Sequence, residues 1–279
     1  MKFDLHAHTA ASDGTDAPSE LIRFAASQGF QLIAVTDHDT ADGLTEAIDA
    51  GRELGVGVIE GIEISSGGDA DIHVLGYGIR QREKLNKALA DMRAQREKRM
   101  EAMIIKLRGL GIDIALADVM SKAGSVVGRA HLARAMVESG YTGDIKEAFV
   151  KYLSPGRPGY VPREKLSAGE AIRLIRAAGG VAVLAHPGQD KESDLIIEAR
   201  VKSAVKEGLY GLEAYHPSHS PGQCATYERL ARKYSLSVTG GSDYHGQNKH
   251  IALGEGLDRW AGAQKAIGRL LADIGKTGQ

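Results

Sequence analysis

Nine side chains of metal-binding type recur along the chain in short, widely separated motifs. His6 and His8 stand in DLHAHT, and Asp13 follows closely. His38 lies between Asp37 and Asp39 in TDHD. Glu63 ends one apolar run, His73 lies in another, His186 belongs to LAHP, and Asp243 and His245 share GSDYH. Imidazole mixed with carboxylate suits zinc, manganese or iron better than magnesium alone. Nine donors exceed the needs of one ion and, with a bridging carboxylate, suffice for up to three. Clustered divalent ions bring the pKa of bound water from 15.7 toward ~7, so the chemistry on offer is hydrolysis at neutral pH. A lone histidine at a strand end is usually an ordinary hydrogen-bonded group. The weight comes from recurrence at six strand ends.

Those residues must be carried by elements that converge. Short apolar runs read as strands at Phe3–Leu5, Leu32–Val35, Val58–Ile62, Ile72–Tyr77, Val181–Leu184, Gly211–Ala214 and Ser237–Thr239. Amphipathic stretches between them predict helices at Ser19–Gln28, Thr40–Leu54, Ala168–Ala178, Asp194–Glu207, Gly222–Tyr234 and Arg259–Ile274. This rhythm predicts repeated β/α units around a parallel sheet, whose strands present their carboxyl ends on one face. Strand residues i and i+2 share a side, so His6 and His8 can reach one ion. The rhythm breaks after about Arg80. Gln81–Leu110 reads as one long helix, striped by Leu85, Leu89, Met92, Met100, Met103, Leu107 and Leu110. Helices at Ala115–Ala123, Arg129–Glu138 and Ile145–Leu153 complete an insertion, and the loop SPGRPGYVP, Ser154–Pro162, leads back.

The bulk properties narrow the field. A chain of 279 residues, 43% hydrophobic and 25% charged, is long enough for one large domain, alone or with an insert. A net charge of -1 supplies no global field to draw it to nucleic acid or anionic lipid. Cys224 is the only cysteine, which excludes an intrachain disulfide and a cysteine-rich zinc site. The start, MKFDLHAHT, lacks the apolar run of a leader, and no stretch approaches the ~18 apolar residues of a membrane span. A cytoplasmic location is expected, with no membrane and no obligate protein partner.

Taken in order, DLHAHT, TDHD, the pair Glu63 and His73, LAHP and GSDYH resemble the signature of the PHP family, named for polymerase and histidinol phosphatase. The likeness implies a distorted seven-stranded α/β barrel, residues 1–80 plus 163–279, with the helical insertion 81–162 capping the substrate. It also implies up to three divalent ions, manganese first and zinc or iron as alternatives. His6, His8, Glu63 and Asp243 would surround one; Glu63 would bridge to a second held by His73 and His186; Asp13, His38 and His245 would hold the third. A hydroxide bridging the ions would attack phosphorus in line.

The implied activity is removal of the 3′-phosphate from nucleoside 3′,5′-bisphosphates. The runner-up is a 5′-to-3′ exoribonuclease on short 5′-phosphorylated RNA. Histidinol phosphatase ranks lower, since no acidic pocket for an amine is evident. An amidohydrolase-type deaminase also ranks lower, because such barrels commonly bridge their ions with a carboxylated lysine where this chain has Glu63. A non-catalytic metal-binding module fits an intact ligand set poorly.

Substrate contacts are expected from GRAHLAR, where Arg129, His131 and Arg134 open a helix. His216 and His219 in EAYHPSHSP are the next candidates, His216 as a possible proton donor. Arg157 and Tyr160 read equally well as base contacts or as a structural turn. The long helix carries nine Lys/Arg against four Asp/Glu between Arg82 and Arg108, without the interleaved aromatics of a nucleic-acid platform.

Overall fold

The computed structural model describes residues 1–67, 72–162, 166–189 and 192–276. Its framework is a seven-stranded sheet in sequential order: β1 (Phe3–Ala7), β2 (Leu32–Val35), β3 (Gly57–Ser66), β4 (Ile72–Tyr77), β5 (Val181–Leu184), β6 (Gly211–Tyr215) and β7 (Ser237–Gly240). The sheet curls into a distorted barrel. Its two edges meet where His8 N–H donates to Tyr244 O at 2.8 Å and Asp243 N–H to His6 O at 2.8 Å. Gly241 makes that meeting possible, since a Cβ there would lie 2.1 Å from His6 Cβ.

The expected all-parallel sheet needs one correction. β1–β2–β3 and β5–β6–β7 are parallel, but β4 runs antiparallel to both of its neighbours. The reason is length. The connection 67–71 is too short for the crossover that parallel neighbours require, so β3 turns straight back into β4. The reversal brings His73, near the start of β4, to the end of the sheet where the other strands finish: it pairs with Ser65 of β3.

Helices cover the outside: α1 (Pro18–Ser27), α2 (Leu44–Leu54), α7 (Ala168–Ala177), α8 (Asp194–Lys206), α9 (Pro221–Lys233) and α10 (Ala263–Lys276). Their starts follow local chemistry. Ser167 and Glu170 form a reciprocal cap at α7, and Ser220, Pro221 and Gln223 do the same at α9. α2 begins later than the sequence suggests, because Asp39 has a left-handed φ of 53° and the chain turns through Thr40–Gly43 first. α10 also begins late, because the chain first runs through successive turns, with Trp260 N–H donating to Leu257 O at 3.1 Å and Ala263 N–H to Trp260 O at 3.2 Å.

The insertion starts with α3 (Arg82–Arg108), followed by α4 (Leu116–Met120), α5 (Arg129–Glu138) and α6 (Ile145–Ala148); a π-helical turn, Phe149–Leu153, replaces the end of one expected helix. α3 serves two cores. Leu85, Leu89 and Met92 pack in the barrel's cluster, whereas Met100, Met103 and Leu107 join α4 and α5 in a separate one. Packing therefore changes partner within α3, not at its start. Leu110, past the helix end, is exposed. The expected return to the barrel at residue 163 lies outside the described residues. No described helix is long and apolar enough to cross a membrane.

Candidate metal centre

All nine motif residues gather at one end of the barrel, around Glu63. This carboxylate, fully buried at the middle of β3, faces five imidazoles. Its Oε2 lies 3.3 Å from His6 Nε2, 3.1 Å from His8 Nε2 and 3.2 Å from His38 Nδ1. Its Oε1 lies 2.9 Å from His73 Nδ1 and 3.0 Å from His186 Nε2. Asp243 closes the first side, with Oδ1 3.5 Å from His6 Nε2 and 3.3 Å from His8 Nε2. Beyond His8, Asp13 Oδ1 lies 3.2 Å from His245 Nε2 and 3.8 Å from His8 Nδ1.

Three sets of donor atoms lie close enough to share an ion: His6, His8, Glu63 and Asp243; His38, Glu63 and His73; and His8, Asp13, His38 and His245. The first matches the implied grouping. The third gains His8, and His38 also joins Glu63 and His73, where His186 was expected beside them. Glu63 Oε2, His8 Nδ1 and Asp13 Oδ1 are buried without a hydrogen-bond partner among the described residues. Such groups cost about 1–3 kcal/mol each when left alone. Lone pairs aimed at common points are what a cation requires, so these residues fit divalent ions.

The electrostatics agree. Burial pushes the Glu63 carboxyl up, yet His38, His73 and His6 overcome it and hold its pKa well below the ordinary range. Burial also opposes charge on His8, but the adjacent Asp243 and Glu63 carboxylates raise its pKa to about 9. Burial dominates at His38, whose pKa falls to about 3 against the opposing pull of Glu63 and Asp13. The carboxylates are thus ionised, and their field demands positive charge beside them.

The chain conformation is shaped for this. Of the four non-glycine residues with left-handed φ among the described residues, three flank or form the centre: Asp39 at 53°, His186 at 22° and Asp243 at 58°. Such conformations cost about 1–3 kcal/mol and persist only where surroundings enforce them. Enforcement comes from a ring of buried acids behind the donors, which the sequence motifs do not mark as functional. Asp4 accepts from the N–H groups of His6, Ser242 and Gly254 at 3.1, 2.9 and 2.7 Å. Asp37 accepts from Thr9 N–H and the Ser12 hydroxyl, at 2.8 and 2.6 Å. Asp39 accepts from Ser65 N–H at 2.9 Å and pairs with Arg96 of α3. Glu213 stands behind His6. Lys249 pairs with Asp243, and Asn248 donates to Asp13 O at 2.7 Å.

The residues expected to meet substrate divide. His216 lies at the centre: its Nδ1 accepts from Ser218 N–H at 3.1 Å, while Nε2, buried and without a hydrogen bond, points toward Asp243 Oδ2 at 3.6 Å. His219 is spent on the loops. Its Nδ1 donates to Ala214 O at 3.0 Å and its Nε2 accepts from Gly188 N–H at 3.1 Å, leaving nothing for substrate. His131 is buried on the inner side of α5, its Nδ1 accepting from Gly128 N–H at 2.9 Å and its Nε2 without a hydrogen bond; Asp13 and Ser12 are among its neighbours. Arg129 stacks over Phe149 and Tyr160, 5.5 and 5.9 Å from their centroids, and donates to Leu153 O. Arg134 pairs with Glu138 one turn on. Arg157 and Tyr160 form consecutive turns, and Tyr160 also lies under Arg99.

Comparison with known proteins decides the family. The PHP domain model matches residues 4–116. A 5′-3′ exoribonuclease of Haemophilus influenzae is 34% identical over 92% of this chain and 94% of its own. A 3′,5′-nucleoside bisphosphate phosphatase of Chromobacterium violaceum is 36% identical over 87% of each. The chain belongs to the PHP family. Two solved structures share this PHP fold. A candidate metal-dependent phosphoesterase from Bifidobacterium adolescentis superposes with TM-score 0.87, at 31% identity and over 97% of this chain and 96% of that one. A Chromobacterium violaceum protein described as an amidohydrolase, with sulfate bound and no metal, gives TM-score 0.84 at 34% identity over 90% of each. This PHP chain is a metal-dependent phosphoesterase, a hydrolase of phosphoric esters.

Proposed function

We propose that the chain removes the 3′-phosphate of nucleoside 3′,5′-bisphosphates, with manganese ions held by the nine donors. The observation that carries this reading is the division of Glu63: one oxygen faces His6, His8 and His38, the other His73 and His186. A carboxylate so placed can bridge two ions, the role a carboxylated lysine fills in amidohydrolase barrels. His6, His8, Glu63 and Asp243 would hold one ion, Glu63, His73 and His186 a second, and Asp13, His38 and His245, with His8, a third. When bound, these ions supply an activated water and positive charge for the phosphoryl oxygens.

The protein's own groups do the rest. His216 accepts at Nδ1 from the Ser218 amide, so its proton resides on Nε2, the atom turned to the centre. That Nε2–H donates a hydrogen bond to a phosphoryl or leaving oxygen and orients it. His131 is likewise held at Nδ1, with Asp13 and Ser12 among its neighbours, and contributes the insertion's share of that wall. Burial of the donors keeps bulk water from competing with substrate.

The second reading is 5′-to-3′ hydrolysis of short 5′-phosphorylated RNA, favoured by the Haemophilus influenzae relative, which matches over as much of the chain. Phosphate and nucleotide release is measured from adenosine 3′,5′-bisphosphate and from a 5′-phosphorylated trinucleotide, each with manganese. The proposal expects phosphate from the first at the higher kcat/KM. Turnover of the trinucleotide alone supports the second reading and overturns the first.

A further inference from the structure

Glu213 does not face the centre; it lies behind it, in the middle of β6. Its Oε1 meets His6 Nδ1 at 3.0 Å, and its Oε2 accepts from the backbone N–H of His186 at 2.7 Å. Glu213 and His6 are completely buried, and His186 nearly so. We propose that Glu213 is a positioning residue that clamps His6 and His186 together and so couples two of the ion positions. The proposal rests on the metal assignment given above.

The chemistry of the two contacts specifies the residue. An ionised carboxylate only accepts, so His6 must donate from Nδ1. That fixes the imidazole in the tautomer whose lone pair is on Nε2, the atom 3.3 Å from Glu63 and 3.5 Å from Asp243. The opposite tautomer would turn an N–H toward the ion. The second contact acts on the backbone. His186 has a left-handed φ of 22°, and the hydrogen bond to its N–H helps hold it there, with its ring 3.0 Å from Glu63 Oε1. Both partners are donors, one for each oxygen. Glutamine has the same shape but a single acceptor oxygen, so its amide group would set N–H against N–H at one of the two contacts. One side chain thus controls a donor from the His6, His8, Glu63 and Asp243 group and another from beside His73.

The test uses the full-length protein and Glu213→Gln. Manganese content and affinity are measured by titration against a chelator, and the His6 tautomer by nitrogen-15 NMR of the imidazole, assigned with His6→Asn. Partners that orient metal-bound histidines are worth roughly 10–100-fold in metal affinity. Glu213→Gln is therefore expected to weaken two ions by about that factor and leave the Asp13 position filled. Unchanged affinity for every ion overturns the clamp. Should Glu213→Gln fail to fold, Glu213→Asp gives the same comparison with both acceptors on a shorter arm, and wild-type affinity there overturns the clamp equally. A wild-type protein that binds manganese with the His6 proton on Nε2 also removes the clamp, while sparing the metal assignment. A wild-type protein with the proton on Nδ1 and no affinity for manganese removes the metal assignment, and with it the coupling of ion positions, while leaving the His6 orientation as argued.

Discussion

The barrel mouth and the inserted helices both carry histidine, and both were candidates for chemistry, yet they use their polar groups in opposite ways. At the mouth, donors from several strands point at shared space, and their own partners lie behind them in Asp4, Asp37, Asp39 and Glu213. In the insertion, Arg129 is laid on two aromatic rings and Arg134 is paired with Glu138 along its helix. Polar groups that turn their partners away from a common point are available for an ion or a substrate. Groups that find their partners inside the insertion, as Arg129 and Arg134 do, hold the insertion together. The two regions touch at a seam: Arg96 reaches Asp39, Ser125 N–H donates to Ala11 O at 2.9 Å, and a Cβ on Gly124 would lie 2.0 Å from Ala10 O.

Glu63→Gln strikes the comparison hardest. The substitution keeps the shape but halves the acceptors facing five imidazoles and removes the bridging charge. Loss of at least two ions is expected by elemental analysis, with kcat/KM for phosphate release down about 10³-fold, the upper end of what one electrostatic group supplies. A fully metallated, active variant would show that convergence at the mouth is not what binds metal. Arg96→Met comes next and cuts the seam. It takes the Arg96 guanidinium away from the completely buried Asp39, and one-sided loss of a buried pair is worth about 3–5 kcal/mol. Denaturant unfolding should report that drop, with metal content falling at His38, whose neighbour Ser65 also contacts Arg96. Unaltered stability would mean that the insertion and the mouth stand independently.

Much of the mouth was legible in the sequence because topology does the assembling. Six of the seven strands run in the sense that the β/α rhythm implies, and a motif at each carboxyl end meets the others without further information. The reversal of β4 was not legible from the run Ile72–Tyr77 itself, which reads alike in either direction; the brevity of 67–71 was the available signal. Glu213 and Asp4 also left a trace, as carboxylates inside apolar strands, GLEAY and FDLHA, where burial without a partner would be costly. Lys249 left none, since a lysine in a polar loop looks the same whether solvated or paired with Asp243. The insertion's arginines failed for a related reason. Their spacing on a helix shows which residues are neighbours, not whether the face they share looks inward.

His219 refines the comparison within the mouth itself, by separating a loop-tying histidine from the donors. Burial pushes its pKa from the ordinary 6.5 to about 4. An unfolded chain takes up a proton near 6.5 that the folded chain refuses until about 4, so acid favours unfolding across that interval. Stability should therefore fall as pH drops from 6.5 toward 4. In His219→Gln, which retains an acceptor and a donor, that fall should shrink by on the order of 2 kcal/mol. Equal pH profiles for the two proteins would place the acid sensitivity elsewhere.

Arg134→Ala has the smallest expected effect and makes the sharpest division. The guanidinium pairs with Glu138 at 3.1 Å on a face where both side chains are more than a third exposed. Helix pairs of that kind contribute about 0.3–0.5 kcal/mol, so unfolding should barely move and kcat/KM should hold within about threefold. A substrate phosphate held by this arginine would give a different result. A charge-assisted bond to an anion is worth about 1.5–3 kcal/mol, and its loss would raise KM roughly tenfold to a hundredfold with the fold intact. Such a rise would show that α5 turns Arg134 from Glu138 to the ligand when substrate arrives, and the insertion would then share the work of the mouth.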